Sequence, residues 1–172
     1  MSFDLNSPVR GKVWKFGDSI DTDCINPFYR YANDPEELKK HTMESARPEF
    51  AGQVKAGDFV VAGRNFGCGS ARNGKVLYEV GVAAVLAESF STLFMRNCIS
   101  GGDFILVAPG ITGLMEDGQT LEINYREGVV KNVDTGKTLP VKTYPPMIEQ
   151  LFRTGGILPY TKARYDAEAA AR

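Results

Sequence analysis

Several things are scarce in this sequence, and each scarcity removes a class of function. His41 is the only histidine, and the three cysteines, Cys24, Cys68 and Cys98, lie far apart. An odd number at such spacing does not make a disulfide framework. Nor does it give the close cysteine pairs of a zinc ribbon or a ferredoxin-type cluster site. A metal site held by this chain alone is therefore not expected, and each cysteine reads first as a small buried residue. No apolar run approaches the roughly 18 residues of a membrane-spanning helix. An excess of one charge is missing too: 20 Lys and Arg against 21 Asp and Glu leave a formal net charge of −1. The basic residues form no stripe, so nothing draws the chain onto a nucleic acid or an anionic membrane. The opening Met1-Ser2-Phe3-Asp4-Leu5-Asn6 has neither the basic start nor the apolar stretch of a secretory signal. The expected compartment is the cytoplasm.

What is present fits one domain over residues 1–172, with 43% hydrophobic and 24% charged residues, enough apolar mass for a core of its own. Val9-Arg10-Gly11-Lys12-Val13-Trp14-Lys15-Phe16 alternates apolar and polar residues as a half-buried strand does. Residues 17–23 read as a polar turn, and Pro27-Phe28-Tyr29-Arg30-Tyr31 as an irregular aromatic loop. Asp34-Pro35-Glu36-Glu37 opens a helix over 35–43, with Asp34 as N-cap and proline at the first helical position. Phe59-Val60-Val61-Ala62-Gly63 and Val82-Ala83-Ala84-Val85-Leu86-Ala87 are apolar along their length, as strands buried on both faces are. Between them the spacing predicts a glycine-rich loop over 64–69 and a helix over 71–80, stopped by Gly81. A short helix over 91–97 leads to a third strand, Phe104-Ile105-Leu106-Val107. Strand, helix, strand, helix, strand is the pattern of a layered α/β core with parallel pairing. Residues 120–125 and 128–133 alternate around a short turn and predict a β-hairpin. A last helix covers 147–154 with Gly155-Gly156 as its stop, and the Ala-rich residues 166–172 fray or extend a helix. No repeat or linker divides the chain.

The stretch richest in chemistry is Gly63-Arg64-Asn65-Phe66-Gly67-Cys68-Gly69-Ser70-Ala71-Arg72. A buried strand delivers a Gly-x-Gly turn, and a serine and an arginine follow where a helix is expected to begin. Glycines allow positive φ and a close approach of backbone to ligand. Amides at a helix N-terminus attract anions, and Arg72 adds a planar fork suited to a carboxylate. One reading is a carboxylate or phosphate cradle with the Ser70 hydroxyl aimed into it. The other is a glycine-rich connection with a capping serine.

Asn65-Phe66-Gly67-Cys68-Gly69-Ser70-Ala71-Arg72 is similar to the Gly-Ser-Ser-Arg loop of the aconitase superfamily, in the form found in small subunits of isopropylmalate isomerases. The resemblance covers nearly the whole chain. Gly11-Lys12-Val13-Trp14-Lys15-Phe16-Gly17-Asp18 with Asp21-Thr22-Asp23 resembles the opening motif of that family. Glu88-Ser89-Phe90 with Phe94-Met95-Arg96-Asn97 resembles its second signature, and Gly155-Gly156-Ile157 its closing helix. The resemblance implies a swivelling three-layer β/β/α domain that closes over a [4Fe-4S] cluster held by a separate large subunit, with no cofactor bound by this chain. It implies that Ser70 abstracts a proton beside a substrate carboxylate and that Arg72 holds a carboxylate, with Gly69 and Cys68 in the same loop. Arg30, with Phe28 and Tyr29, falls in the loop that reads the substrate's side group, or else packs on the large subunit. Asp21 and Asp23 are expected to support the turn, Arg96 to reach the site or a structural partner, and His41 and Cys68 to be structural. The isolated chain is also open to self-association.

The sequence departs from the family where Ser70-Ala71-Arg72-Asn73-Gly74-Lys75 replaces the usual Ser-Ser-Arg-Glu. A hydroxyl and a carboxylate are gone, Lys75 is gained, and Gly74 weakens a helical first turn by about 1 kcal/mol relative to alanine. The expected reaction stays hydro-lyase chemistry on a substituted malate. Isopropylmalate leads, with homoaconitate, 2,3-dimethylmalate or a citramalate-type substrate as alternatives, and a non-catalytic binding paralogue beside them.

Overall fold

A computed structural model describes residues 3–31 and 34–170, with the backbone alone at 30 and 31. Along the chain run β1 (Val9–Lys15), α1 (Thr22–Ile25), α2 (Phe28–Tyr31), α3 (Pro35–Lys40), α4 (Phe50–Gln53) and β2 (Phe59–Ala62). Then come α5 (Lys75–Glu79), β3 (Ala84–Ala87), α6 (Thr92–Gly101), β4 (Ile105–Val107) and α7 (Ile111–Leu114). The chain continues with β5 (Thr120–Asn124), β6 (Val129–Asn132), β7 (Thr138–Pro140), α8 (Pro146–Thr154) and α9 (Ile157–Ala170).

The strands form one sheet in the order β4-β3-β2-β1-β5-β6-β7. β1 joins its two halves. Val13, Trp14 and Lys15 pair in parallel with Phe59, Val60 and Val61, whereas Val9 to Lys12 pair antiparallel with Ile123 to Thr120. Gly11 lies within that strand because a Cβ there would sit 2.2 Å from the Gly57 carbonyl oxygen. The parallel strands are buried on both faces, and their period of two splits them between two cores. Val60, Ala62, Val85, Ala87 and Ile105 meet Ile25, Phe50, Leu77, Phe94 and Cys98 from the crossover helices. Phe59, Val61, Leu86 and Leu106 meet Leu121, Ile123 and Val130 of the antiparallel half. A shared core between the two halves requires the sheet to curl over itself, and the result is helices, parallel strands and antiparallel strands in three layers. The expected β/β/α architecture is therefore present.

The expected hairpin is β5–β6, with Leu121 opposite Asn132, and Asp34 caps α3 through the Glu36 and Glu37 amides. Other expectations need correction. The polar turn over 17–23 ends in a helical turn, α1, because the Asp21 carboxylate caps the Cys24 amide at 2.7 Å. The aromatic loop winds one turn as α2. α5 begins at Lys75, not at residue 71, so Ser70 and Arg72 do not stand on its first turn. Their bonds to the 22–26 segment, described below, hold them outside the helix. The short elements α4, α7 and β7 had no signal in the sequence, and α6 runs on to a left-handed Gly102, φ 79°. α9 begins at Ile157 and none of its residues is buried; residues 171 and 172 of the expected frayed tail lie outside the described residues.

Candidate active site

The loop after β2 is held between two other segments by backbone bonds. Ser19 N–H donates to Arg64 O at 2.8 Å, Gly67 N–H to Ile20 O at 2.8 Å and Thr22 N–H to Cys68 O at 2.8 Å. On its other side Phe66 N–H donates to Ser89 O at 3.0 Å, and Ser91 N–H to Phe66 O at 2.9 Å. Three stretches far apart in the chain, 17–23, 64–72 and 88–91, thus meet at the ends of the parallel strands, where open α/β sheets place their ligands.

Glycine is required at two points here. A Cβ on Gly63 would lie 1.9 Å from the Asp18 carboxylate oxygen, which accepts the Arg64 amide at 2.6 Å. Gly67 has φ +76°, and a Cβ there would stand 2.1 Å from Cγ of the buried Phe94.

Ser70 lies exposed at the end of this loop. Its hydroxyl is 2.9 Å from the hydroxyl of Thr22, and its amide donates to the same Thr22 oxygen at 3.0 Å. Arg72 reaches the same segment: Nη1 pairs with the Asp23 carboxylate and donates to the Asn26 carbonyl at 2.9 Å. The guanidinium also lies 5.9 Å from the ring centre of Phe28. Among the described residues Nε and Nη2 carry no bond, and that edge can take a carboxylate. The aromatic residues beside it are open, Phe28 at 49% and Tyr29 at 65% exposure. The arrangement is a face carrying one hydroxyl and one guanidinium, not a closed pocket.

Residues 21–108, which contain most of this frame, match the aconitase C-terminal domain family. The 3-isopropylmalate dehydratase small subunit 1 of Methanopyrus kandleri is 46% identical over 161 residues, 92% of this chain and 95% of that protein. The isopropylmalate/citramalate isomerase small subunit of Methanocaldococcus jannaschii is 39% identical over 163 residues, 93% of this chain and 97% of that protein. A crystal structure of 3-isopropylmalate dehydratase from the same archaeon aligns with a TM-score of 0.88 at 33% identity, covering 96% of this chain and 100% of that one. The chain belongs to the 3-isopropylmalate dehydratase small-subunit family.

Against that family's expected site, the structure brings Ser70, Arg72, Gly69, Asp21, Asp23 and Phe28 together. Asp21 acts as the cap of α1, and Asp23 as the partner of Arg72. Cys68 donates its thiol to the Ser19 carbonyl at 3.5 Å, a packing role within the loop. Tyr29 lies exposed on α2, and Arg96 exposed on α6. Arg30 falls on α2, but its side chain lies outside the described residues. Glu88 of the second signature is structural. Burial alone would raise its pKa, yet bonds from the Thr112 hydroxyl and the Gly110 and Thr112 amides hold it below the usual carboxylate range. His41 caps α3 between Glu37 and Glu44. Thr22 was missed as a member of the site. Its only signal in the sequence was its position between two aspartates of the opening motif.

The helix N-terminal cradle expected at Ser70 is not formed. Gly74, the glycine that breaks the family pattern, instead stands ahead of α5, where a Cβ would meet the Phe94 ring at 3.0 Å. Its place in the sequence reflects close packing.

Proposed function

We propose that this chain is the small subunit of a heteromeric hydro-lyase that interconverts 2- and 3-isopropylmalate by dehydration and rehydration. The observation that carries the proposal is the exposed Ser70 hydroxyl, held by Thr22 beside an arginine whose outer edge is open to a carboxylate. In this reading the Ser70 oxygen, as alkoxide, takes the proton from the carbon next to a substrate carboxylate. The electrons of that C–H bond form the C=C bond, and hydroxide leaves from the neighbouring carbon. Rehydration with the opposite regiochemistry, Ser70 returning the proton, gives the isomer. Arg72 grips one carboxylate and fixes which C–H faces Ser70. A serine is a weak base at its ordinary pKa, so the bonds around its oxygen must favour the anion.

The face is open, and the family's naming as a small subunit implies a larger partner, which would close it and exclude water. Among the described residues no three His, Cys, Asp or Glu side chains converge as a metal site; in the reading, the partner's residues hold a [4Fe-4S] cluster. When bound there, the cluster supplies Lewis acidity for the departing hydroxyl. Phe28 and Tyr29 would face the substrate's side group, and Arg30 is proposed from its place in the sequence to help read that group. The compartment proposed is the cytoplasm; no helix among the described residues is long and apolar enough to cross a membrane.

The test is turnover of a panel of substituted malates by this chain combined with its cluster-loaded large subunit. Preference for isopropylmalate is expected. Preference for citramalate, which the Methanocaldococcus jannaschii relative's name also carries, would retain the chemistry and change the substrate. Silence across the panel by an assembled complex would refute the enzymatic reading.

A further inference from the structure

We propose that Thr22 is a positioning residue for Ser70, holding its oxygen in place and donating the hydrogen bond that stabilises it as an anion; this rests on the reading of Ser70 as the base. The Thr22 hydroxyl has one proton to give and two lone pairs to receive with. One lone pair is occupied by the Ser70 amide at 3.0 Å. While Ser70 is protonated, either hydroxyl can be the donor across the 2.9 Å between them. Once Ser70 has lost its proton, only one direction is left: Thr22 donates, and its bond becomes a charge-assisted one, roughly twice as strong as a neutral bond. Thr22 thereby favours the deprotonated form of its neighbour.

The surroundings fit that role. Thr22 is 1% exposed, in contrast to Ser70 at the open face, so its hydroxyl faces little competition from water. Its backbone is bonded on both sides, its amide to Cys68 O at 2.8 Å and its carbonyl accepting the Asn26 amide at 3.0 Å. Beta-branching further restricts its χ1. Gly69, at φ +97°, lets the catalytic loop come this close, since a Cβ there would lie 3.3 Å from the Thr22 hydroxyl oxygen. The donor is therefore in place before any substrate arrives, and little reorganisation is needed at the moment of proton transfer.

The experiment uses the complex of this chain with its large subunit and compares Thr22→Ser, Thr22→Ala and Thr22→Val with wild type and Ser70→Ala. Serine and alanine at this position differ by the hydroxyl alone, so that pair remains decisive if valine fails to assemble. Expected is a loss in kcat on the order of 10²-fold in the alanine and valine variants, with KM within about 3-fold. Thr22→Ser should stay within about 3-fold of wild type. The rise of kcat with pH should move upward by on the order of one unit in the variants without the hydroxyl. Equal loss in Thr22→Ser and Thr22→Ala with an unshifted profile would mean that the methyl matters and would overturn the inference. So would unimpaired turnover in Thr22→Ala. Full activity of Ser70→Ala would instead remove the base itself and with it the proposed mechanism.

Discussion

Arg72 uses a single nitrogen, Nη1, for both Asp23 and the Asn26 carbonyl, which fixes the plane of the guanidinium and leaves its other edge for a substrate. Lysine would keep the charge but lose the fork. Arg72→Lys is accordingly expected to raise KM for the dicarboxylate by about 10-fold or more, with assembly unaffected, as steady-state kinetics on the complex will show. A second titratable residue lies away from the site. Burial pushes Asp103 up from its ordinary value of 3.8 to about 6, and its Oδ2 has no hydrogen-bond partner among the described residues. The folded protein therefore holds this proton more tightly than the unfolded chain. Stability falls as pH rises through the window between 3.8 and about 6, and the deficit is complete above it. Asp103→Asn removes that term. It should stabilise the protein at pH 8, on the order of 1–3 kcal/mol, and give no gain below pH 4, as thermal melts at both values will reveal. Ser70 and Arg72 were legible because each carries its chemistry in its own residue type, in a recognisable string. Thr22 was not, because its part in the site depends on a contact between residues 48 apart.

Helices and strands show a similar division. The buried parallel strands and the β5–β6 hairpin were readable because their apolar runs and alternation are local properties of the chain. The start of α5 was not. Residues 71–74 have no breaker before Gly74 and would wind into a helix by pattern alone, but bonds from Ser70 and Arg72 to the segment after β1 hold them in a loop. One-turn elements such as α1, α2, α4 and α7 are too short for any periodicity to declare them. The loop's geometry also depends on glycine at a site where the pattern gives no hint of the reason. Gly67→Ala would force a left-handed alanine against Phe94, whose Cγ lies 2.1 Å from the Cβ position. A loss on the order of 3 kcal/mol is expected, read by denaturant unfolding. A shift under about 0.5 kcal/mol would mean that the loop does not pack on α6 as described.

As a whole, the molecule is a curled sheet that brings three distant stretches of sequence to one face and leaves that face open. Length, composition and the order of elements made the layered architecture legible. The curl itself was not, since it arises from β1 pairing with β2 along one half and β5 along the other, a long-range choice no local pattern encodes. An exposed hydroxyl and a half-buried guanidinium flanked by open aromatics form half of an enclosure, which is why the chain alone is expected to turn over no substrate. The most direct test of the account is turnover of isopropylmalate by the complex assembled with Ser70→Ala, with complex formation measured alongside. The account predicts an intact complex with at least a 10³-fold loss in kcat, on the order seen when a catalytic group is removed. An intact complex that retained wild-type turnover would show that the proton is taken by another group.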